Sequence, residues 1–241
     1  MIALFTDFGL GGPYVGQLHA VLARSAPGIP VIDLLHDVPR QGVRAGAYLL
    51  PSLLAPFPVS TVFLCVVDPG VGSARRAVMV WADGHWFVGP DNGLFHVLAH
   101  RAARVDCREI LWRPDRLSSS FHGRDLFAPV AARLACGTLP DSRPAELAAP
   151  AGADWPEDLP EVIYIDTFGN AITGLRASGV RTGQILHIRG QALRHAGTFS
   201  AVATGEAFWY FNSSELVEIA VNGGSAAGTF GLKPGDAVQM Q

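Results

Sequence analysis

The sequence predicts an α/β fold: an N-terminal domain with a mostly parallel sheet and helices, then a smaller C-terminal all-β, barrel-like domain. Three observations lead to this fold class. Short apolar runs alternate with helical patterns as far as residue 140, and prolines punctuate an Ala-rich stretch from 141 to 160. After that stretch, short strand patterns follow one another at turn signals. We therefore predict a domain over 1–140, a linker over 141–160 and a second domain over 161–241.

Composition limits the possible partners. The chain of 241 residues is 49% hydrophobic and 16% charged, which indicates a sizeable core. The net charge is −3 without a basic cluster, so we expect no nucleic-acid partner. Cys65, Cys107 and Cys136 show no CxxC or zinc-ligand spacing. No metal and no cofactor are expected for this protein. No signal segment and no apolar run of about 18 residues is present, so a cytoplasmic protein without membrane contact is expected.

The first predicted strand, Ile2–Thr6, ends directly in Asp7. Glycines follow, and Pro13 suits the first turn of a helix that begins at Tyr14. A carboxylate at a strand end is well placed to accept both hydroxyls of a ribose. A helix-capping Asp is the alternative interpretation of Asp7.

The next elements continue the alternation of strands and helices. We predict strands over 31–35, 61–67, 77–82, 85–88 and 105–111, and helices over about 40–54, from Leu94 onward, and up to about Cys136. Asp83-Gly84 indicates a tight hairpin between two of these strands.

The apolar run 61–67 is the most telling strand, because its lack of polar alternation is typical of burial on both faces of a parallel sheet. It ends at Asp68, and a Pro-Gly turn follows. Arg75 follows seven positions later, so a turn that folds back would bring its guanidinium close to the carboxylate of Asp68. This pair is either a reactive centre or a salt bridge that fixes the loop. His122 precedes a predicted helix, where the helix dipole favours a neutral imidazole; a capping or surface histidine is the alternative.

The C-terminal region shows strand patterns with two conspicuous turns, Asp166-Thr-Phe-Gly-Asn170 and Asn212-Ser-Ser-Glu215. Its even spacing indicates a small barrel or sandwich. The predicted strands cover 162–166, 171–175, 184–189, 207–211, 216–221 and 237–240.

Six motifs, in order along nearly the whole chain, together resemble the S-adenosylmethionine hydrolases. These adenosine-forming enzymes are also called S-adenosylmethionine hydroxide adenosyltransferases and are related to the fluorinase and chlorinase halogenases. The motifs are Thr6-Asp-Phe-Gly9, Asp68-Pro-Gly-Val-Gly72 with Arg75, Gly89-Pro-Asp-Asn-Gly93, Phe121-His-Gly-Arg-Asp125, Asp166-Thr-Phe-Gly-Asn170, and Asn212-Ser213 with Glu218-Ile-Ala-Val-Asn222.

The resemblance implies hydrolysis of S-adenosyl-L-methionine to adenosine and L-methionine by in-line attack of an activated water at C5′. It implies a homotrimer that needs only substrate and water, without a cofactor. The catalytic residues implied are Asp68, Arg75 and His122. The resemblance further implies Asp7 for the ribose, Phe168 and Asn170 for adenine, backbone groups of Val221 and Gly223 for the base edge, Ser213 for the methionine carboxylate, and Phe8, Phe121 and Asp166 within the matching motifs.

One departure concerns Gly12, which stands where the family typically has an Asp for the methionine ammonium. Three alternatives stay open at this point. A halogenase would use halide instead of water, a metal-dependent hydrolase would use Asp7, Asp68, His122 and Asp125, and a nucleoside-binding module would lack turnover. The sequence also leaves open whether Asp68 or His122 accepts the proton.

Overall fold

The computed structural model describes residues 1–150 and 155–241. It divides the described chain into two units. The first comprises 1–47 and 56–150, and the second comprises 48–55 and 155–241. Within these described ranges, no helix combines the length and the apolar character needed to cross a bilayer.

The first unit is built on one seven-stranded sheet in the order β2-β1-β3-β5-β4-β6-β7. Strands β2, β1, β3 and β5 run parallel, whereas β4, β6 and β7 add antiparallel pairings. The strands are β1 (Ile2–Thr6), β2 (Val31–Leu35), β3 (Val62–Val66), β4 (Ala77–Ala82), β5 (His85–Pro90), β6 (Val105–Ile110) and β7 (Ser142–Pro144). The predicted α/β class and the hairpin at Asp83-Gly84 are confirmed.

The α-helices of this unit include one that is clearly shorter than predicted. They are α1 (Tyr14–Ser25), α2 (Val43–Leu49), α3 (His96–Arg101) and α4 (Ala128–Ala135). The helix predicted over 40–54 begins at Val43 and gives way to a 3₁₀ turn, Leu50–Leu53, where Pro51 cannot continue the α-helical hydrogen bonds. A five-residue π-helical turn, Gly123–Phe127, leads into α4.

The centre of the sheet is fully buried and fixes the position of the strand ends. Every residue of β1 and β3 is buried, as their unbroken apolar sequences predict. The two strands pair in parallel with Thr6 opposite Val66. Asp7 and Asp68 therefore follow neighbouring strands at the same, carboxyl edge of the sheet, as predicted.

The second unit contains two antiparallel sheets that share one apolar core. This matches the sandwich form of the predicted β domain. One sheet has the order β12-β13-β9-β8 and the other the order β11-β10-β14. The strands are β8 (Leu159–Ile165), β9 (Ala171–Arg176), β10 (Leu186–Ile188), β11 (Gln191–Leu193), β12 (Ala207–Phe211), β13 (Leu216–Val221) and β14 (Gln239–Met240), and a short helix, α5 (Ala226–Phe230), was not predicted.

The stretch predicted as a linker, 141–160, contains regular structure at both ends. Ser142–Pro144 forms β7, which pairs with β6 at the edge of the first sheet. Proline is tolerated at a sheet edge, where its missing N–H leaves no ladder bond unmade. Strand β8 already begins at Leu159. Residues 151–154 of the predicted linker lie outside the described residues.

Candidate active site

The turn after β3 brings Asp68 and Arg75 together. Arg75 donates from Nε to Oδ1 of Asp68 at 2.8 Å, and its Nη2 bonds Oδ2. The two side chains are only 9% and 5% exposed. Arg75 also lies over the ring of Phe127, 5.2 Å from its centroid. The folded-back turn predicted from the sequence is therefore present, and the pair has the bidentate geometry typical of arginine–carboxylate contacts.

His122 joins this pair from a distant part of the chain. Its Nδ1 lies 3.1 Å from Nη2 of Arg75. Because a guanidinium can only donate, Nδ1 must accept this hydrogen bond. A neutral His122 therefore carries its proton on Nε2. Burial and the nearby charge of Arg75 lower the pKa of His122, although Asp68 acts in the opposite direction.

A cavity of about 260 Å³ opens in front of these residues. Asp68 and His122 line it, whereas Arg75 binds both without lining it. Asp7 lines the same cavity and accepts a hydrogen bond from the backbone N–H of Gln41 at 3.0 Å. The first cavity thus combines one ion pair, one neutral imidazole and one further carboxylate.

Two aromatic rings complete this cavity. Phe8 and Phe121 both line it, and their ring centroids are 5.7 Å apart in an edge-to-face arrangement. They supply apolar wall next to the polar groups. Every site residue predicted in the first unit therefore lies at this cavity or, for Arg75, directly behind it.

The second unit contains a larger cavity of about 820 Å³. Phe168 is 77% exposed beside it. All the site residues predicted in this unit line the cavity: Asp166, Phe168, Asn170, Ser213, Val221 and Gly223. The predicted site residues consequently form two groups, one at a cavity in each unit.

The turn between β8 and β9 orients Asn170. Asp166 accepts hydrogen bonds from the backbone N–H groups of Phe168 and Asn170 at 2.9 and 2.8 Å, and from Nδ2 of Asn170 at 3.0 Å. Since a carboxylate cannot donate, this last contact fixes which end of the amide is nitrogen. Oδ1 of Asn170 is buried and has no hydrogen-bond partner. It is an acceptor at the cavity wall that a ligand N–H can satisfy.

Several residues that line the second cavity were not predicted as site residues, and three of them have large side chains that bear on its chemistry. Phe199, Tyr210 and Glu218 line it, and Tyr210 and Glu218 face one another across β12 and β13. A sequence signal for Glu218 exists, because it is a single charged residue within the apolar strand Leu216–Val221. No sequence pattern around Phe199 distinguishes it from an ordinary core residue.

The described residues contain no group of three or more His, Cys, Asp or Glu side chains placed to hold a metal ion. The metal-dependent alternative named Asp7, Asp68, His122 and Asp125. Of these, Asp68 is paired with Arg75, and Asp125 is paired with Arg124 at 2.6 Å. The geometry therefore offers that alternative no ligand set.

Comparison with known proteins covers both units. Residues 2–143 match the N-terminal domain, and residues 160–239 the C-terminal domain, of the SAM hydroxide adenosyltransferase family. An (R)-S-adenosyl-L-methionine hydrolase from Thermus thermophilus is 41% identical over 99% of this chain and 98% of its own length. A crystal structure of an uncharacterized conserved protein from Thermotoga maritima superposes with a TM-score of 0.89 at 34% identity, with 100% of both chains covered. A fluorinase from Actinopolyspora mzabensis is more distant, at 27% identity over 100% of this chain and 96% of its own. This chain belongs to the SAM hydroxide adenosyltransferase family.

Proposed function

We propose that this protein hydrolyses S-adenosyl-L-methionine to adenosine and L-methionine. The observation that carries the proposal is the Asp68–Arg75–His122 arrangement, in which two polar groups face a cavity and an arginine binds both from behind. Membership of the family and the named hydrolase relative support the same reaction.

The proposed reaction is an in-line displacement at C5′ of the ribose. A water oxygen forms a bond to C5′ while the C5′–S bond breaks, and the bonding electron pair goes to sulfur. Sulfur leaves as the neutral thioether of methionine, so no acid is needed to protonate the leaving group. The catalytic demand is a positioned water that loses its proton as it attacks.

We assign the proton acceptor to Asp68. Nδ1 of His122 already accepts the Arg75 N–H, and Nε2 carries the ring proton, so neutral His122 has no free lone pair for the water proton. Nε2–H instead orients the water by donating to its oxygen. The oxygens of Asp68 retain acceptor capacity beyond the Arg75 contacts. The fixed positive charge of Arg75 stabilises the negative charge that develops on the attacking oxygen.

The remaining site residues serve binding in this proposal. Asp7 accepts the ribose hydroxyls, and Phe8 and Phe121 form apolar wall at the reacting end. Asn170 offers its unpartnered Oδ1 to the adenine amino group, and Phe168 supplies an exposed ring beside the base. Backbone groups of Val221 and Gly223 bind the base edge, Asp166 holds the Asn170 turn, and Ser213 binds the methionine carboxylate.

We further propose that the protein acts as a homotrimer in the cytoplasm. The two groups of predicted site residues lie at separate cavities, so neither cavity alone contains the whole predicted site. In the proposed trimer, the first unit of one copy and the second unit of its neighbour complete one site. A cytoplasmic location agrees with three free cysteines, two of them buried.

Halide is a poorer nucleophile for this site than water. Asp68 has a buried side chain and places a carboxylate where a halide would have to approach C5′, and like charges repel more strongly where little water separates them. The site therefore favours hydrolysis over halogenation.

Incubation of the purified protein with S-adenosyl-L-methionine in water enriched in oxygen-18 tests the reaction. We expect adenosine and L-methionine in equal amounts, with the heavy oxygen in the 5′-hydroxyl of adenosine. Asp68→Asn serves as the control for contaminating activity. Absence of adenosine, or label in a methionine fragment instead, contradicts the proposal.

A further inference from the structure

A buried carboxylate without a cationic partner lies at the cavity of the second unit. Glu218 is only 4% exposed and lines this cavity. It accepts hydrogen bonds from Oη of Tyr210 at 2.5 Å and from Nδ2 of Asn212 at 2.9 Å. Both donors are neutral, so the two contacts leave the charge of an ionised Glu218 unbalanced.

Other buried carboxylates in this protein are paired differently. Asp68 is bound by Arg75, and Asp91 by Arg76 at 2.5 Å. A buried carboxylate normally has such a partner, because removing its charge from water is costly. Glu218 is therefore a carboxylate whose counter-charge is absent from the described protein residues around it.

The cavity itself supplies no positive charge. Among the described residues that line it, Asp166 and Glu218 carry charge, and both are acidic. Asp166 already accepts two backbone N–H groups and the amide of Asn170. Burial, reinforced by the charge of Asp166, raises the pKa of Glu218. A cation that enters the cavity would relieve this repulsion and keep Glu218 ionised.

We propose that Glu218 binds the α-ammonium group of the substrate's methionine moiety and makes that group a requirement for tight binding. This inference rests on the proposed function. The substrate has two cationic centres, and the sulfonium has no hydrogen to donate to a carboxylate. The adenine amino group can donate but is neutral. Only the ammonium combines a positive charge with N–H donors, and such a cationic donor is what Glu218 lacks among the described residues.

The surroundings of Glu218 suit an amino acid. Asn212, which donates to Glu218, is followed directly by Ser213 and Ser214, and both serines line the cavity. Their hydroxyl groups can donate hydrogen bonds to the carboxylate of the methionine moiety. The ammonium of the methionine moiety can thus be bound by Glu218 of β13, and the carboxylate on the same α-carbon by the turn that precedes this strand.

The test compares two ligands on two variants. The ligands are S-adenosyl-L-methionine and its analogue that lacks only the α-amino group. The variants are Glu218→Gln and the control Glu215→Gln, an exposed glutamate in the same turn that does not line the cavity. Dissociation constants are measured by calorimetry in an Asp68→Asn background, so that turnover does not interfere.

We expect Glu218→Gln to weaken binding of S-adenosyl-L-methionine by about 10- to 100-fold relative to the analogue, the usual range for a charge-assisted hydrogen bond. Glu215→Gln should affect neither ligand. Because the result is a difference between ligands, a general perturbation of the fold by Glu218→Gln cancels. Equal weakening of both ligands overturns the inference and leaves Glu218 a structural residue.

A measurement on the chain with Glu218 intact covers the case in which Glu218→Gln does not fold. That chain must bind S-adenosyl-L-methionine more tightly than the desamino analogue, and equal affinities overturn the inference. The proposed function fails by a separate result, namely no adenosine from the wild-type protein. Ligand discrimination by Glu218 can be measured in either case.

Discussion

At the scale of single residues, Asp68 is the group on which the proposed chemistry depends. Asp68→Asn removes the proton acceptor but nearly preserves the volume of the side chain. We expect the turnover number to fall by about 10²- to 10⁴-fold, the usual contribution of a general base. The dissociation constant for S-adenosyl-L-methionine should change little, because other residues bind the substrate. Single-turnover kinetics and calorimetry measure the two quantities separately.

Asp7→Asn is the matched comparison, since it removes a carboxylate from the same cavity. Here binding should weaken first, by roughly 1.5–3 kcal/mol, because the ribose diol loses a charged acceptor. If Asp68→Asn retains full turnover, or if both variants fail only in binding, Asp68 has a structural role. The Asp68–Arg75 pair is then a salt bridge that fixes the loop.

His122 predicts a pH dependence with a definite sign. Protonation of Nδ1 ends the hydrogen bond from Arg75 and places two cations side by side. Burial and the charge of Arg75 lower the pKa of His122. The neutral form therefore persists at pH values below about 6.5, the ordinary pKa of a histidine. The turnover number should therefore fall only as the pH drops through this lowered pKa.

The control for this pH dependence is Arg113→Gln, because the charge of Arg113 also lowers the pKa of His122. In this variant the acidic limb of the pH–rate profile should move to higher pH. A profile that does not respond to Arg113→Gln would assign the limb to another group.

The contacts between site residues differ in how far they can be predicted from the sequence. The Asp68–Arg75 pair is predictable because seven positions separate the two in one turn, and local geometry brings them together. His122 lies 47 positions from Arg75, so local reasoning predicts its position near a helix start but not the contact. Glu218 stands in one of the family motifs, but the sequence assigns it no role, because that role depends on the residue that faces it across the sheet, Tyr210.

At the scale of elements, the turn between Asp68 and Arg75 contains two glycines with different surroundings. Gly72 has φ +79°, and a Cβ there would lie 2.6 Å from the backbone oxygen of Ser119. At Gly70 a Cβ would meet its nearest neighbour, Oγ of Ser73, at an ordinary 3.4 Å. Gly72→Ala should therefore displace the turn and cost at least about 1–2 kcal/mol of stability.

We expect Gly72→Ala to lower both the melting temperature and the turnover number, because the displaced turn misplaces Asp68. Gly70→Ala is the matched control and should leave both nearly unchanged. Thermal unfolding and initial rates decide the point. Equal effects of the two substitutions would show that backbone conformation at Gly72 does not position the site.

Elements with strong apolar patterns were predictable, and those set by tertiary context were not. Strands β1 and β3 follow from unbroken apolar runs. The sequence predicts a linker where β7 lies, because this strand contains Pro144 and its pairing with β6 joins residues far apart in the chain. Helix α5 is only five residues long and includes Gly228, although Ser225 caps it. The π-helical turn before α4 has no sequence pattern of its own.

At the scale of the whole molecule, the two groups of site residues lie in different units. The sequence predicted the members of each group through the family motifs. It could not predict the cavity volumes, because these depend on how side chains from separate elements pack. The proposed trimer explains how two separate groups act on one substrate, and it makes a prediction that a single-chain site does not.

Two variants, each impaired in a different unit, should restore activity when they assemble together and are assayed at a substrate concentration that neither variant alone turns over well. Asp68→Asn damages the first unit, and Asn170→Ala removes the buried acceptor from the second. When both variants are coexpressed with different tags, a mixed trimer contains sites that combine an intact first unit with an intact second unit from the neighbour. Random assembly makes about a quarter of all sites intact, so about a quarter of wild-type activity should return. Coexpression of Asp68→Asn with His122→Ala is the control, because both damage the first unit and no site is complete. Activity that stays absent in the first mixture, in oligomers that purify with both tags, would show that each chain builds its site alone.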